Sequence, residues 1–218
     1  MEKFTVLKAP AAPLLRANIN TDVVIRIERL IYLPREELGR YCFEAWRYLP
    51  DGSEAPDFVL NQPPYRHACI LLAGENFACG SSREAAVWSL WAMGYRCVIA
   101  PSFGDIFFSN CFQNGLLPIV LPASVIAELA AEAEAAAERR TNETDFTIDL
   151  VHRQIVTPRG RRVAFAVDET RRQALLDGLD EIGMTLLRDG EIAAFQARDR
   201  ADRPWVYASV PDAIGERP

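Results

Sequence analysis

The chain has 218 residues, half of them apolar, with 30 acidic against 24 basic side chains for a net charge of −6. Such a chain suits one globular domain with a real core, and nothing basic is concentrated enough to attract a phosphate backbone, which excludes nucleic acid as a partner. No apolar run approaches the ~18 residues of a membrane span, and Met1–Arg16 lacks the charged-then-apolar order of a signal peptide, so no membrane association and a cytoplasmic location are expected.

In chain order, Phe4–Leu7 reads as a short strand. Asn18–Asp22 is a polar turn, followed by the apolar run Val23–Ile25. Between Tyr41 and His67, Pro50, Gly52, Pro56, Pro63 and Pro64 mark a long loop or several short turns. Ala68–Ala73 is an apolar run and predicts a buried strand. Gly74–Ser82 is a glycine-punctuated turn. Arg83–Met93 predicts a helix with Val87, Leu90 and Trp91 on one face and Gly94 as its stop. Arg96–Ala100 and Leu116–Leu121 predict two further strands. Between them lies a helix over Phe103–Phe112 with Phe103, Ile106 and Phe107 inward. This β-α-β-α-β order implies parallel strands joined by right-handed crossovers.

Ala123–Arg140 is rich in Ala and Glu, and Val125, Ile126, Leu129, Ala133 and Ala136 recur on one side at helical spacing. Phe146, Ile148 and Leu150 then alternate with polar residues, as do Val163, Phe165 and Val167. Pro158 and Gly160 between them predict a hairpin. Thr170–Leu176 and Glu191–Ala197 read as closing helices. The expected organisation is a single domain over residues 1–198 with a C-terminal tail at 199–218, in an α/β class with a mixed sheet.

The five cysteines (Cys42, Cys69, Cys79, Cys97 and Cys111) are odd in number and no pair has C-x-x-C spacing, and the only histidines are His67 and His152. Neither a disulfide framework nor a metal or iron–sulfur site is expected in this chain, and the cysteines read as small buried hydrophobes.

The segment Gly74-Glu-Asn-Phe-Ala-Cys-Gly-Ser-Ser-Arg-Glu84 carries the chemistry. A strand, a glycine-bounded turn and a helix start form a ready anion site, because the free amides of the first helical turn and the helix dipole point outward there. Arg83 adds a forked, permanent cation suited to a carboxylate. The turn has no Lys of a phosphate-binding P-loop, is not G-x-G-x-x-G and is not a G-x-S-x-G nucleophile elbow. Taken alone, Ser81 and Ser82 are read as helix caps and Arg83 as a surface ion pair.

The string Glu75–Glu84 resembles the swivel domain of the aconitase superfamily, and most closely the small subunits of 3-isopropylmalate dehydratase. Asn18-Ile-Asn-Thr-Asp22, Trp46-Arg47 followed by Asp57–Asn61, Ala100–Phe108 and Asn114–Pro118 match in the same order, and Asn142–Ala197 matches more loosely. The resemblance implies a three-layer β/β/α swivelling domain that works with a large catalytic subunit holding a [4Fe–4S] cluster, the cluster being the partner's and not this chain's. The reaction it implies is dehydration and rehydration of a small hydroxy-diacid, converting 2-isopropylmalate to 3-isopropylmalate in leucine biosynthesis. It further implies Ser81 as the catalytic base, Ser82 and Arg83 as carboxylate-binding groups, and Asn20, Thr21 and Asp22 as the opposite wall of the site or its indirect support. The chain departs from the family at Ala85, where His is usual, and at Ile25-Arg26-Ile27-Glu28-Arg29, where Ile-Pro and a basic residue are common. Those departures bear on the diacid, with methylmalate, citraconate or another small diacid as alternatives to isopropylmalate. A non-catalytic anion-binding paralogue is the alternative from another class.

Overall fold

The computed structural model describes residues 1–80, 83–138 and 144–207. The chain divides into two compact units, Met1–Asp180 and Glu181–Pro218.

The first unit is built on a seven-stranded mixed, curled sheet in the order β4-β3-β2-β1-β5-β6-β7. Its strands are β1 (Val6–Leu14), β2 (Ile70–Ala73), β3 (Cys97–Ala100), β4 (Leu117–Val120), β5 (Asp145–Asp149), β6 (Gln154–Val156) and β7 (Arg162–Ala164). β1 to β4 are parallel, and β1-β5-β6-β7 are antiparallel. The expected α/β class with a mixed sheet is therefore found.

β2 and β3 are buried on both faces, as their unbroken apolar runs require. Successive residues point to opposite faces of a strand. Leu71, Ala73, Val98 and Ala100 accordingly enter one core, with Ala85, Ala86, Val87 and Leu90 of α4 (Glu84–Met93) and Phe107 and Cys111 of α5 (Asp105–Gln113). Ile70, Leu72, Cys97 and Ile99 enter the other, against Ile126, Leu129, Ala130 and Ala133 of α6 (Ala123–Glu138) and Phe146 and Ile148 of β5. Gly94 ends α4 in the left-handed region at φ +110°, where its N–H donates to the helix's last carbonyls.

The structure differs from the sequence-based expectation in several places. β1 runs from Val6 to Leu14, well beyond Phe4–Leu7, although it contains Pro10 and Pro13. It pairs with β5 over Val6–Pro10 and with β2 over Ala11–Leu14, so one flank is open along each half and a proline's missing donor can be accommodated there. α5 starts at Asp105, not Phe103, and its inward residues are Phe107, Cys111 and Phe112, whereas Ile106 is 54% exposed. Trp91 is only half-buried. β6 has no counterpart among the expected strands. The Pro158–Gly160 hairpin joins β6 to β7, and a further turn closed by the Asp149 side chain joins β5 to β6. The polar turn at Asn18–Asp22 leads into a one-turn helix α1 (Thr21–Val24), followed by α2 (Ile27–Tyr32), a 3₁₀ segment (Arg35–Tyr41) and α3 (Glu44–Arg47). The predicted helix over Thr170–Leu176 is found as α7 (Glu169–Asp177), capped by Asp168.

The second unit contains α8 (Glu181–Leu186) and α9 (Asp189–Asp202). Residues 199–202, expected in the tail, continue α9, and Pro204–Val206 form a 3₁₀ turn. Within this unit Asp199 accepts hydrogen bonds from Arg203 Nε (2.6 Å) and the Tyr207 hydroxyl (2.7 Å).

Candidate active site

In an open α/β sheet, ligands bind in the crevice beyond the carboxyl ends of the parallel strands. Here the three segments that leave β1, β2 and β3 at that edge are tied to one another by main-chain hydrogen bonds. Asn18 N–H donates to Glu75 O (2.8 Å), Cys79 N–H to Ile19 O (3.2 Å) and Thr21 N–H to Cys79 O (3.0 Å). On the other side Phe77 N–H donates to Ser102 O (3.0 Å) and Gly104 N–H to Phe77 O (2.9 Å). The parallel ladder is thus carried past the strands as the isolated bridges Asn20–Cys79 and Phe77–Phe103. Two side chains reinforce it: Ser102 Oγ accepts from Asn76 N–H (2.8 Å), and Asn18 Oδ1 from Asn76 Nδ2 (2.8 Å).

The approach is close enough to demand glycine. A Cβ on Gly74 would stand 2.4 Å from Arg16 O, and one on Gly104 would stand 2.5 Å from Ala78 O. The central segment is also bent through left-handed conformations at Asn76 (φ +56°), Ala78 (φ +55°) and Gly80 (φ +90°). For Ala78 this costs about 1–2 kcal/mol. Strain of that kind concentrates at functional sites, where the surrounding structure holds it.

The segment delivers the chain to Arg83, the N-cap of α4, whose side chain forms an ion pair with Asp22 of α1 across 61 positions of sequence. The Arg83 side chain is 20% exposed and that of Asp22 55%. Asn20 caps α1, its Oδ1 accepting from Val23 N–H (2.9 Å), and Thr21 is buried. The structure therefore brings Asn20 and Thr21 against Cys79, and Asp22 against Arg83. Of the residues expected to react or bind, Ser81 and Ser82 lie outside the described residues. Asn76, Ser102 and Gly104 were not singled out from the sequence. The signal available was their position just beyond two adjacent parallel strands.

Two relatives match this chain over nearly their whole length, both named 3-isopropylmalate dehydratase small subunit. That of Gluconacetobacter diazotrophicus is 51% identical, covering 97% of this chain and 100% of the relative. That of Rhodospirillum centenum is 51% identical, covering 94% and 98%. The aconitase C-terminal domain family matches residues 1–124, and the family of C-terminal domains of the 3-isopropylmalate dehydratase small subunit matches residues 181–209. The chain belongs to the 3-isopropylmalate dehydratase small-subunit family. A crystal structure of 3-isopropylmalate dehydratase from Methanocaldococcus jannaschii shares the fold, with a TM-score of 0.60 at 23% identity over 87% of this chain and 98% of that one.

Against the family pattern, Ala85 is buried in the core beside Ala86 and Val87. Arg26 and Arg29 both turn to Glu44: Arg29 Nη2 lies 2.8 Å from Oε2 and Arg26 Nε 3.7 Å from Oε1. They line a cavity of about 510 Å³ with Arg40, Tyr41 and Tyr48. The Arg26 side chain is 57% exposed and that of Arg29 40%.

As for metal chemistry, no cluster of three or more His, Cys, Asp or Glu side chains able to hold an ion occurs among the described residues. Burial pushes the Cys42 thiol up to about 12 and raises Cys97 and Cys111 as well, and the three are scattered, Cys42 and Cys111 in one core and Cys97 in the other. The described residues do not fit a cluster. No helix is long and apolar enough to cross a membrane among the described residues.

Proposed function

We propose that this chain is the small subunit of a heteromeric, cytoplasmic hydro-lyase that isomerises 2-isopropylmalate to 3-isopropylmalate by dehydration and rehydration, within leucine biosynthesis. The observation that carries the reading is the full-length likeness to subunits of that name, joined to a forked arginine at a helix start already seated on a carboxylate. Hydroxide is a poor leaving group, and the Lewis acidity its departure needs comes from a [4Fe–4S] cluster on the large partner subunit.

This chain's share is binding and proton transfer. Arg83, with its planar fork, holds one carboxylate of the diacid, and Ser82 donates a hydrogen bond to it. Ser81 takes the carbon-bound proton. A serine hydroxyl is a weak acid in water. Backbone amides at the start of α4, the Arg83 cation and exclusion of water on closure all favour its charged form. Asp22 orients Arg83 through their ion pair, while Asn20 and Thr21 fix α1 so that Asp22 points at the site.

The test is reconstitution with the cognate large subunit, followed by turnover of 2-isopropylmalate, methylmalate, citraconate and related diacids. Turnover of 2-isopropylmalate is the expected result. Preference for a shorter diacid moves the substrate while keeping the chemistry, and binding without turnover of any of them overturns the reading in favour of an anion-binding paralogue.

A further inference from the structure

Glu84 follows Arg83 in the chain and is the first residue of α4, yet the two side chains go to different partners. Arg83 is turned to Asp22, and Glu84 Oε1 accepts from Asn114 Nδ2 at 2.9 Å. Asn114 ends α5, where its other Nδ2 hydrogen goes to Asn110 O (2.9 Å), and its Oδ1 accepts from Trp88 Nε1 (3.0 Å). Glu84 and Trp88 are four residues apart and share a face of α4, so one amide reaches both. The reversed amide would set its oxygen against the Glu84 carboxylate and its NH₂ against the indole N–H. The three partners therefore permit one orientation only. All three bonds are partly buried. Arg35 and Glu36 flank the relay, lining with Trp88 and Asn114 a cavity of about 190 Å³ in which the Arg35 guanidinium lies 3.6 Å over the Trp88 ring.

We propose that Asn114 is a positioning residue that keeps the Glu84 carboxylate off Arg83, leaving the guanidinium to the substrate. Asp22 occupies Nη1 of Arg83, and the remaining N–H groups of the fork are those a substrate carboxylate needs. Glu84, adjacent in sequence and anionic, is an internal rival for them. A neutral amide at 114 removes it with a hydrogen bond that fixes direction and adds no charge. This inference rests on Arg83 binding a substrate carboxylate.

The experiment is a double-mutant cycle in the reconstituted complex with Asn114→Ala, Glu84→Gln and both together. Asn114→Ala should raise KM about fivefold to tenfold with kcat within about twofold of the parent, because a binding contact is lost. Glu84→Gln should stay within about twofold of the parent, and the double variant should return to the KM of Glu84→Gln. An equal rise in KM in both backgrounds, or a loss confined to kcat, overturns the proposal, since Asn114 would then act through Trp88 or the end of α5 alone. If Asn114→Ala does not fold, Asn114→Ser is used in the same two backgrounds.

A readout without the partner is the Arg83 guanidinium NMR signal of the isolated chain, assigned with Arg83→Lys. It should move in Asn114→Ala and return in the double variant. A signal that stays still in every variant sinks the idea whatever the kinetics. Unaltered kinetics in Arg83→Lys, by contrast, would remove the substrate role of Arg83 itself.

Discussion

The two halves of the sheet are held by different means. In the parallel half, the segments beyond β1, β2 and β3 are joined backbone to backbone, and Gly74 and Gly104 allow approaches that any Cβ would block. In the antiparallel half main-chain bonds such as Leu150 N–H to Thr5 O (2.9 Å) also occur, and long side chains add clamps to neighbouring elements. Arg161 of the hairpin reaches Glu132 (Nε to Oε1, 2.7 Å) and Glu128 (Nη1 to Oε2, 2.8 Å) on α6. Arg172 of α7 donates to Leu150 O (3.1 Å) and Val151 O (2.9 Å) just after β5. Backbone stitching positions charges closely and tolerates little substitution. Side-chain clamps act through long, flexible arms and serve stability. The parallel edge is therefore where chemistry can be held, and the antiparallel half is where changes should be felt in stability alone.

The largest expected effect lies at the parallel edge. With Ser81 as the proposed base, Ser81→Ala should lower kcat of the reconstituted enzyme by several orders of magnitude with a modest change in substrate affinity. With Ser82 in its proposed substrate-binding role, Ser82→Ala removes a hydrogen bond worth about 1.5–3 kcal/mol when the acceptor is charged, and should mainly weaken binding. Exchange of the substrate's carbon-bound hydrogen with solvent separates the two serines. Persistence in the Ser81 variant and loss in the Ser82 variant would assign the base to Ser82.

Next in size is Arg83→Lys. Charge is retained and the fork is lost, so kcat/KM should fall by an amount equivalent to about 2–4 kcal/mol. Unchanged efficiency would mean that the Asp22 pair is only a surface contact.

A matched pair of variants tests the comparison directly. Gly104→Ala drives a Cβ into the Ala78 carbonyl and should cost about 1–3 kcal/mol through overpacking, with activity falling as well. Arg161→Ala leaves Glu132, whose side chain is 12% exposed, without its partner, and should cost a similar ~1–3 kcal/mol while kcat/KM stays put. Denaturant melts alongside kinetics decide it. Equal losses of activity in the two variants would erase the distinction between the halves.

The smallest effect concerns pH. Burial raises the Asp149 carboxyl, but the His152 amide (2.9 Å) and ring (2.7 Å) outweigh it and hold the group below the usual carboxylate range. A depressed folded-state pKa contributes stability above the unfolded value and loses it as pH falls through the folded one. Asp149→Asn should therefore flatten the acid limb of the stability curve and lower stability at neutral pH by about 1 kcal/mol. An acid limb identical to the parent's would show that the turn between β5 and β6 is not part of it.

Much of this was legible from local pattern. Unbroken apolar runs marked β2, β3 and β4, Gly94 marked the end of α4, and helical spacing marked the apolar face of α6, because each depends only on neighbours a few residues apart. The strand–turn–helix setting of Gly74–Glu84 pointed to an anion site for the same reason, and the ordered motifs around it pointed to the family. What failed locally was overridden from a distance. β1 survives two prolines because it changes partners midway, and Ile106 is exposed because the packing of α5 against α4 and the sheet buries the neighbouring face with Phe107 and Cys111. Only the tertiary structure decided that Arg83 meets Asp22, that Arg26 and Arg29 both turn to Glu44, and that Asn114 reaches back 30 positions to Glu84. These pairs leave no periodic trace in the sequence. Which side chains meet in them is set by the packing of whole elements far apart in sequence.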